Sequence, residues 1–243
     1  MQSSIEKLKK LENNILLRNQ NIRDSVETIR KLIGKNKNKN SKTQRKINEL
    51  PYHKIQNWIT NNQIESIESF HDSLSYGQLG SKMWMVENLP KGNNIHIEII
   101  GGWFGCPLID LLNSKLNIKK IDFYEIDESC KKILAQYLNH FNFEFEVSVF
   151  GNFFERKELR RRDLIINTSS EHMHDIIEMK EYFKGNPAIA IQSNNYFDLD
   201  EHINCVHDVE ELISKNELKR VWYKGGKKFE KYTRFMAIGQ WYD

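Results

Sequence analysis

A glycine turn and an acid further along the chain have the types and spacing to bind a nucleoside. The turn is Gly101-Gly-Trp-Phe-Gly105, and the acid is Glu125. Its glycines allow a sharp reversal and let a ligand approach without a Cβ in the way. Helix amides after such a turn favour a negative or electron-rich group, and the Glu125 carboxylate can accept hydrogen bonds from two ribose hydroxyls. A nucleoside ligand is therefore predicted; the alternative is a tight strand-to-helix turn beside a surface acid.

A second chemical group follows the apolar run Asp163-Leu-Ile-Ile-Asn167. A histidine beside a carboxylate can remove a proton from a nucleophile near neutral pH. We predict that three residues here act in catalysis: Asn167, Glu171 and His172. The alternative is helix capping, with Ser169 or Ser170 as the N-cap of a helix that runs to Phe183.

A polar, aromatic loop follows the next apolar run, Pro187-Ala-Ile-Ala-Ile-Gln192. It would line the same pocket, so four of its residues are predicted substrate contacts: Asn194, Asn195, Tyr196 and His202. Histidines here and Cys205 could in principle bind zinc. Their spacing matches no compact zinc motif, and no metal is predicted.

The elements that position these residues alternate between strand and helix. Apolar runs at 95–100 and 121–125 predict strands, and Glu128 to Asn142 carries apolar residues at helical spacing. Strand, glycine turn, helix, strand and helix is the unit that builds parallel sheets, whose ligands lie beyond the carboxyl ends of the strands.

The C-terminal part predicts an antiparallel hairpin on that sheet. Leu218–Tyr223 and Tyr232–Trp241 read as strands joined by a short loop that contains Gly225. We therefore predict an α/β fold with a doubly wound, mostly parallel seven-stranded sheet, an antiparallel C-terminal strand and an N-terminal helical appendage. Arg160-Arg-Arg162 is predicted to be a solvated turn.

These features resemble the class I S-adenosylmethionine-dependent methyltransferases. Gly101-x-x-x-Gly105 resembles the edges of their glycine motif, and Glu125-Ile-Asp127 resembles the acid at the end of their second strand. Trp103 stands where the family usually has a third glycine, and Glu98 is one position away from the usual acid before the motif. The resemblance implies S-adenosylmethionine as cofactor and methyl transfer as the activity.

The same resemblance implies a set of cofactor contacts. Asn152 follows strand three, where the family binds the adenine amino group, and Phe153 would cover the ring. The segment before strand one, with Gln78 and Lys82, would meet the methionine carboxylate or the substrate; a polar helix face is the alternative. The full predicted set is Gln78, Gly101, Gly102, Trp103, Gly105, Glu125, Ile126, Asn152 and Phe153.

Charge and periodicity divide the 243 residues into three parts. Residues 1–46 are predicted to form an amphipathic helix and a basic linker, residues 47–90 a helical lead-in, and residues 91–243 the Rossmann-like cofactor-binding domain. Residues 1–46 hold thirteen Lys and Arg against four Asp and Glu, so residues 47–243 carry a net charge of −6 within a total of +3. The basic segment 35–46 is a candidate nucleic-acid contact or simply a solvated linker, and the N-terminal helix could pair with a second copy.

The composition favours a chain without a membrane span, and the sequence leaves the reaction open. No apolar run is long enough to span a membrane, and three widely spaced cysteines favour a reduced, cytoplasmic chain. The methyl acceptor stays open, with a small molecule slightly favoured over nucleic acid. Trp103 keeps open another S-adenosylmethionine reaction, such as a lyase or aminocarboxypropyl transfer. The N-terminal helix and basic linker keep open a non-catalytic nucleotide-binding or assembly protein.

Overall fold

The computed structural model describes residues 57–59, 61–62, 67–140, 143–155 and 159–243. The predicted N-terminal helix and the basic segment 35–46 lie outside the described residues, and so does any pairing of copies through that helix. Among the described residues, no helix is both long and apolar enough to cross a lipid bilayer.

Helices and strands alternate along most of the described chain. The α-helices are α1 (Ile67–Ser73), α2 (Tyr76–Asn88), α3 (Leu108–Lys115), α4 (Glu128–His140) and α5 (Val209–Lys215). The strands are β1 (Ile95–Ile100), β2 (Ile118–Tyr124), β3 (Glu146–Phe150), β4 (Arg160–Arg161), β5 (Leu164–Asn167), β6 (Phe183–Lys184), β7 (Ala188–Asn194), β8 (Arg220–Lys228) and β9 (Thr233–Gln240).

Seven of these strands form one sheet in the described part of the chain, in the order β3-β2-β1-β5-β7-β9-β8. The pairs from β3 to β7 are parallel, whereas β9 is antiparallel to both β7 and β8. The strand order reverses direction next to β1, where ligands bind in open parallel sheets. The predicted mostly parallel seven-stranded sheet with an antiparallel C-terminal strand is confirmed.

The core lies on both faces of the sheet because successive residues of a buried strand point to opposite sides. Ile97 and Ile99 pack with the apolar sides of α2, α3 and α4. Ile100 and Tyr124 pack on the other face, together with Leu212 of α5. Helices on both faces make the sheet doubly wound, as predicted.

Helix α2 is fastened to the C-terminal half of the sheet by three long-range hydrogen bonds. Trp84 Nε1 donates to the Tyr223 hydroxyl at 2.7 Å, and Lys227 Nζ donates to the Gly80 carbonyl at 2.8 Å. Gln192 Nε2 donates to the Ser81 carbonyl at 2.9 Å. The segment before β1 therefore packs across the sheet beside the carboxyl end of β7.

The structure contradicts one alternative interpretation and one prediction. The residues after β5 form 3₁₀ turns at Ser170–His172 and Ile176–Tyr182 in place of one helix, and Ser169 makes no side-chain capping bond. Arg162 does not lie in a solvated turn, because it is 5% exposed and its guanidinium reaches the carboxylates of Glu98 and Asp122 inside the protein. Helix α4 forms as predicted up to His140, and residues 141–142 lie outside the described residues.

Candidate active site

The glycine turn leaves β1 in a conformation that most side chains would strain. Gly101 and Gly105 have φ angles of 64° and 71°, in the left-handed region that glycine tolerates. The Gly101 amide donates to the Tyr124 carbonyl at 3.0 Å, which holds the turn against the end of β2. A Cβ on Gly102 would overlap the ring of Phe123, so the turn packs closely on β2 only without a side chain there.

Trp103 occupies the middle of this turn in a glycine-like conformation. Its φ is 58°, which is unusual for a bulky residue. The indole stacks on Phe104, with ring centroids 4.9 Å apart and planes 27° apart. The Trp103 amide donates to Glu125 Oε2 at 2.9 Å. The backbone at Trp103 therefore follows the path that a glycine would favour, although the side chain is large.

Glu125 stands directly after β2 and faces the turn. Its Oε1 accepts from the Asp127 amide at 3.0 Å, and its Oε2 accepts from Trp103. Each carboxylate oxygen has two lone pairs and can accept a further donor. Burial raises the pKa of Glu125, although these backbone donors partly offset the effect. The next side chain, Ile126, is 75% exposed, and an apolar ligand surface would cover it.

The two predicted adenine contacts, which follow β3, differ in exposure. Asn152 is exposed, and its Oδ1 accepts from the Phe154 amide at 3.0 Å. Phe153 is 4% exposed and packs among aromatic rings that include Tyr124. Its neighbour Phe154 is 39% exposed. By exposure, Phe154 is better placed than Phe153 to cover a ligand ring.

Lys82 of α2 places a cation in the interior of the protein, close to Cys106 and Arg234. It is 3% exposed. Burial lowers the pKa of Lys82 to about 8; the Cys106 thiol opposes this shift and the charge of Arg234 adds to it. A bound carboxylate would compensate the buried charge. Gln78, one turn earlier on α2, is half-buried.

Buried polar side chains at the ends of β5 and β7 surround Glu171, and we call this cluster the polar pocket. This side chain is 2% exposed. Its Oε1 accepts from Asn194 Nδ2 at 2.7 Å and from Arg234 Nη2 at 3.0 Å. Arg234 also donates to the Thr168 carbonyl at 2.9 Å. Sequence reasoning missed Arg234, although a lone arginine in the apolar run of β9 was the available signal.

Asn167 connects this pocket to the glycine turn. It is fully buried; its Oδ1 accepts from the Ser169 amide at 2.9 Å, and its Nδ2 lies 3.0 Å from Met173 Sδ. The end of the Met173 side chain lies against Gly101, where a Cβ would overlap it. Met173 is flexible and polarisable, and it separates the glycine turn from the polar pocket.

The predicted substrate residues after β7 surround the same pocket. Asn195 Oδ1 accepts from the Thr233 amide at 2.8 Å, so this side chain fixes its loop to β9. The Tyr196 ring stacks at 6.1 Å on Tyr232. The rings of His172 and His202 meet edge to face, with centroids 4.6 Å apart. The structure thus brings the predicted catalytic and substrate residues together at the carboxyl ends of β5 and β7.

Comparison with known proteins connects this architecture to one fold. No protein-family model matches the sequence, and no curated protein matches it. Solved structures do match. An S-adenosylmethionine-dependent methyltransferase from Aquifex aeolicus aligns with a TM-score of 0.50 at 15% identity, over 66% of this chain and 89% of that one. A mycolic acid cyclopropane synthase in complex with SAH aligns with a TM-score of 0.53 at 7% identity, over 70% and 86%.

At these identities the likeness concerns the fold. The described chain has the fold of the class I S-adenosylmethionine-dependent methyltransferases. The sequence-based resemblance is confirmed at that level, and the roles of individual residues stay predictions.

Proposed function

We propose that this chain is an S-adenosylmethionine-dependent methyltransferase. One observation carries the proposal: a half-exposed carboxylate, Glu125, stands at the end of β2 and faces a turn whose backbone follows a glycine path. Two oxygens that can each accept one more hydrogen bond suit the two hydroxyls of a ribose. The fold comparison supports the same cofactor class.

The residues around the turn fit the other parts of S-adenosylmethionine. The exposed side chains of Ile126 and Phe154 would pack on the adenine ring. The buried cation of Lys82 would bind the methionine carboxylate, together with amides of the glycine turn. The cofactor supplies a methyl group on a sulfonium centre. The protein then has to align the acceptor with that methyl and exclude water, and alignment alone accounts for a large part of such rate enhancements.

The polar pocket at Glu171 is the proposed acceptor site. Asn167 and Asn194 are buried there, so an acceptor that enters would exchange hydrogen bonds with them rather than with water. A small polar molecule suits this site better than a nucleic acid, because residues 47–243 carry a net charge of −6. The proposed proton acceptors are Glu171 and His172.

Substitution of Glu125 tests the cofactor assignment. Glu125→Ala removes both acceptors for the ribose and should weaken S-adenosylmethionine binding by about 10- to 100-fold, as expected for hydrogen bonds to a charged group. Equilibrium dialysis with labelled cofactor measures this change. Glu144→Ala removes an exposed acid of the same type outside the turn and is the matched control. Equal affinities for the wild type and Glu125→Ala would show that the ribose assignment is wrong.

Product analysis tests the reaction type. A methyltransferase releases S-adenosylhomocysteine, whereas aminocarboxypropyl transfer or a lyase reaction releases methylthioadenosine. We expect S-adenosylhomocysteine, since Trp103 keeps the glycine-like backbone and gives no structural reason for another reaction. Cofactor binding with no product from any acceptor class would favour the non-catalytic alternative.

A further inference from the structure

Three metal-ligating side chains converge at the edge of the polar pocket. Glu171, His172 and His202 each offer one ligand atom, and these atoms all lie within 4.8 Å of one another. They come from two segments that are distant in sequence, the 3₁₀ turn after β5 and the loop after β7. Sequence spacing predicted no metal here because a cluster assembled from two loops leaves no compact motif.

Both histidines have a backbone carbonyl beside Nδ1, which favours the tautomer that leaves Nε2 available to a metal. His172 Nδ1 lies 3.2 Å from the Glu201 carbonyl, and His202 Nδ1 lies 2.6 Å from the Tyr196 carbonyl. A carbonyl oxygen only accepts hydrogen bonds, so each Nδ1 carries the proton and a neutral ring keeps its lone pair on Nε2. Metal-binding histidines are oriented by the same kind of contact to a backbone carbonyl.

Glu171 supplies an independent indication of a missing ligand. Its Oε1 binds Asn194 and Arg234, but its Oε2 is buried and has no hydrogen-bond partner among the described residues. A buried carboxylate oxygen without a partner is costly, because it has lost its water without gaining a hydrogen bond in exchange. A cation bound at this oxygen would remove that cost.

Charges around the cluster act in both directions. Arg234 repels a cation, although its guanidinium is already engaged with Glu171 and the Thr168 carbonyl. The loop that carries His202 also brings three acids, Asp198, Asp200 and Glu201. A repulsive guanidinium beside the site predicts moderate affinity, so the titration has to reach micromolar concentrations and above.

We propose that Glu171, His172 and His202 bind a divalent transition-metal ion. Two imidazoles and one carboxylate suit Zn²⁺, Fe²⁺, Co²⁺ or Mn²⁺, and three protein ligands leave positions open for water or substrate. Ligand atoms around a tetrahedral zinc lie roughly 3.4 Å apart, so binding would draw these side chains together by up to about 1.4 Å. His172 is exposed and free to make that adjustment.

Such an ion would bind an oxygen of the methyl acceptor and lower the pKa of a bound hydroxyl or water. Only this consequence rests on the proposed function. With a metal bound, the Glu171 carboxylate and the His172 lone pair would be ligands rather than proton acceptors, and a hydroxyl of the acceptor bound to the ion would release its proton to solvent water.

Titration of metal-free, tag-free full-length protein tests the inference. Co²⁺ binding is followed by its visible absorption, and Zn²⁺ binding by competition with a chromophoric chelator. We expect one equivalent per chain in the wild type. His172→Ala, His202→Ala and Glu171→Gln should each weaken binding by about tenfold or more. His172→Ala is the decisive variant, since an exposed side chain can be removed without unfolding the chain, and circular dichroism checks this.

His174→Ala and His207→Ala are the matched controls. Both histidines are exposed and lie outside the cluster, so their variants should bind like the wild type. Binding below one equivalent in the wild type, or equal losses in cluster and control variants, would overturn the metal site. The readout needs no cofactor: failure to bind metal leaves the proposed methyltransferase untouched, and failure to bind S-adenosylmethionine leaves the metal site untouched.

Discussion

The sheet contains two buried groups of carboxylate and guanidinium that differ in how completely they are compensated. In the middle of the sheet, Glu98 and Asp122 occupy paired positions of β1 and β2, and Arg162 reaches both. At the carboxyl edge, Glu171 meets Arg234. All five side chains are at most 5% exposed.

The interior group surrounds Asp122 with basic side chains. Asp122 Oδ2 also lies 3.3 Å from both His96 Nε2 and Arg160 Nη1, and its Oδ1 lies 3.6 Å from Lys120 Nζ. At the carboxyl ends of the strands, both donors bind one oxygen of Glu171, and its other oxygen, like Asp122 Oδ1, has no hydrogen-bond partner among the described residues. The two groups therefore differ in the number of basic side chains around the acid, which is four for Asp122 and one for Glu171 among the described residues.

Removal of the two arginines should separate these roles by the size of the effect. Arg162→Met leaves two buried acids without their shared cation and should lower the free energy of unfolding by roughly 3–5 kcal/mol. Arg234→Met leaves only Glu171, which keeps Asn194 and can take up a proton, so the loss should be about half as large. Urea unfolding measures both.

Arg161→Met is the control for this pair, because Arg161 is exposed and should change stability by less than about 0.5 kcal/mol. A smaller loss for Arg162→Met than for Arg234→Met would reverse the assignment of the two groups.

Acid unfolding should report mainly on the interior group. Burial raises the pKa of Asp122, but the His96 hydrogen bond and the charges of Arg162 and Lys120 outweigh it and lower the pKa from 3.8 to about 2. The unfolded chain thus takes up this proton first as the pH falls. The stabilisation is complete above about pH 4 and is lost toward pH 2, for a total of roughly 2 kcal/mol.

Asp122→Asn removes this titration, so its stability should fall less steeply than that of the wild type between about pH 4 and pH 2. Asp198→Asn, at an exposed acid, should keep the wild-type slope. Identical slopes for Asp122→Asn and the wild type would show that Asp122 is not the group that titrates.

The smallest change in stability and in cofactor affinity is expected from a substitution in the glycine turn after β1. Trp103→Gly relieves a left-handed φ, worth of order 1 kcal/mol, and loses the stacking on Phe104, which is worth a similar amount. The equilibrium constant of unfolding, measured with urea, should change by less than about threefold. The dissociation constant of S-adenosylmethionine, measured by dialysis, should change by no more than that. Loss of cofactor binding would mean that the indole itself contacts the ligand.

The sequence predicted those parts of the molecule that depend on local pattern. Helix α4 buries one face, so its apolar residues recur at helical spacing. Strands β1 and β2 are buried on both faces, so they appear as apolar runs. Both patterns can be recognised in a single sequence. The C-terminal hairpin was predictable for the same reason, but its predicted loop was wrong, because Gly225 pairs with Met236 inside β8. The glycine turn and Glu125 were found because backbone conformation and strand order together restrict where they lie.

Long-range pairing between polar residues was not predictable. Arg162 looked like part of a solvated turn because its partners, Glu98 and Asp122, lie on two other strands. The cluster of Glu171, His172 and His202 escaped for the same reason. A run of Ser, Glu and His at 169–174 favoured helix capping locally, yet contacts with the loop after β7 stabilise 3₁₀ turns there, such as the bond from the Asn204 amide to the Glu171 carbonyl at 2.9 Å.

Calorimetric titration of the full chain with S-adenosylmethionine, and separately with NAD, tests the central claim most directly. The account predicts saturable binding of one S-adenosylmethionine per chain and no binding of NAD, because Glu125 and the glycine turn fit the ribose and methionine parts of the first ligand. No heat of binding with S-adenosylmethionine, or equal binding of both ligands, would contradict the account.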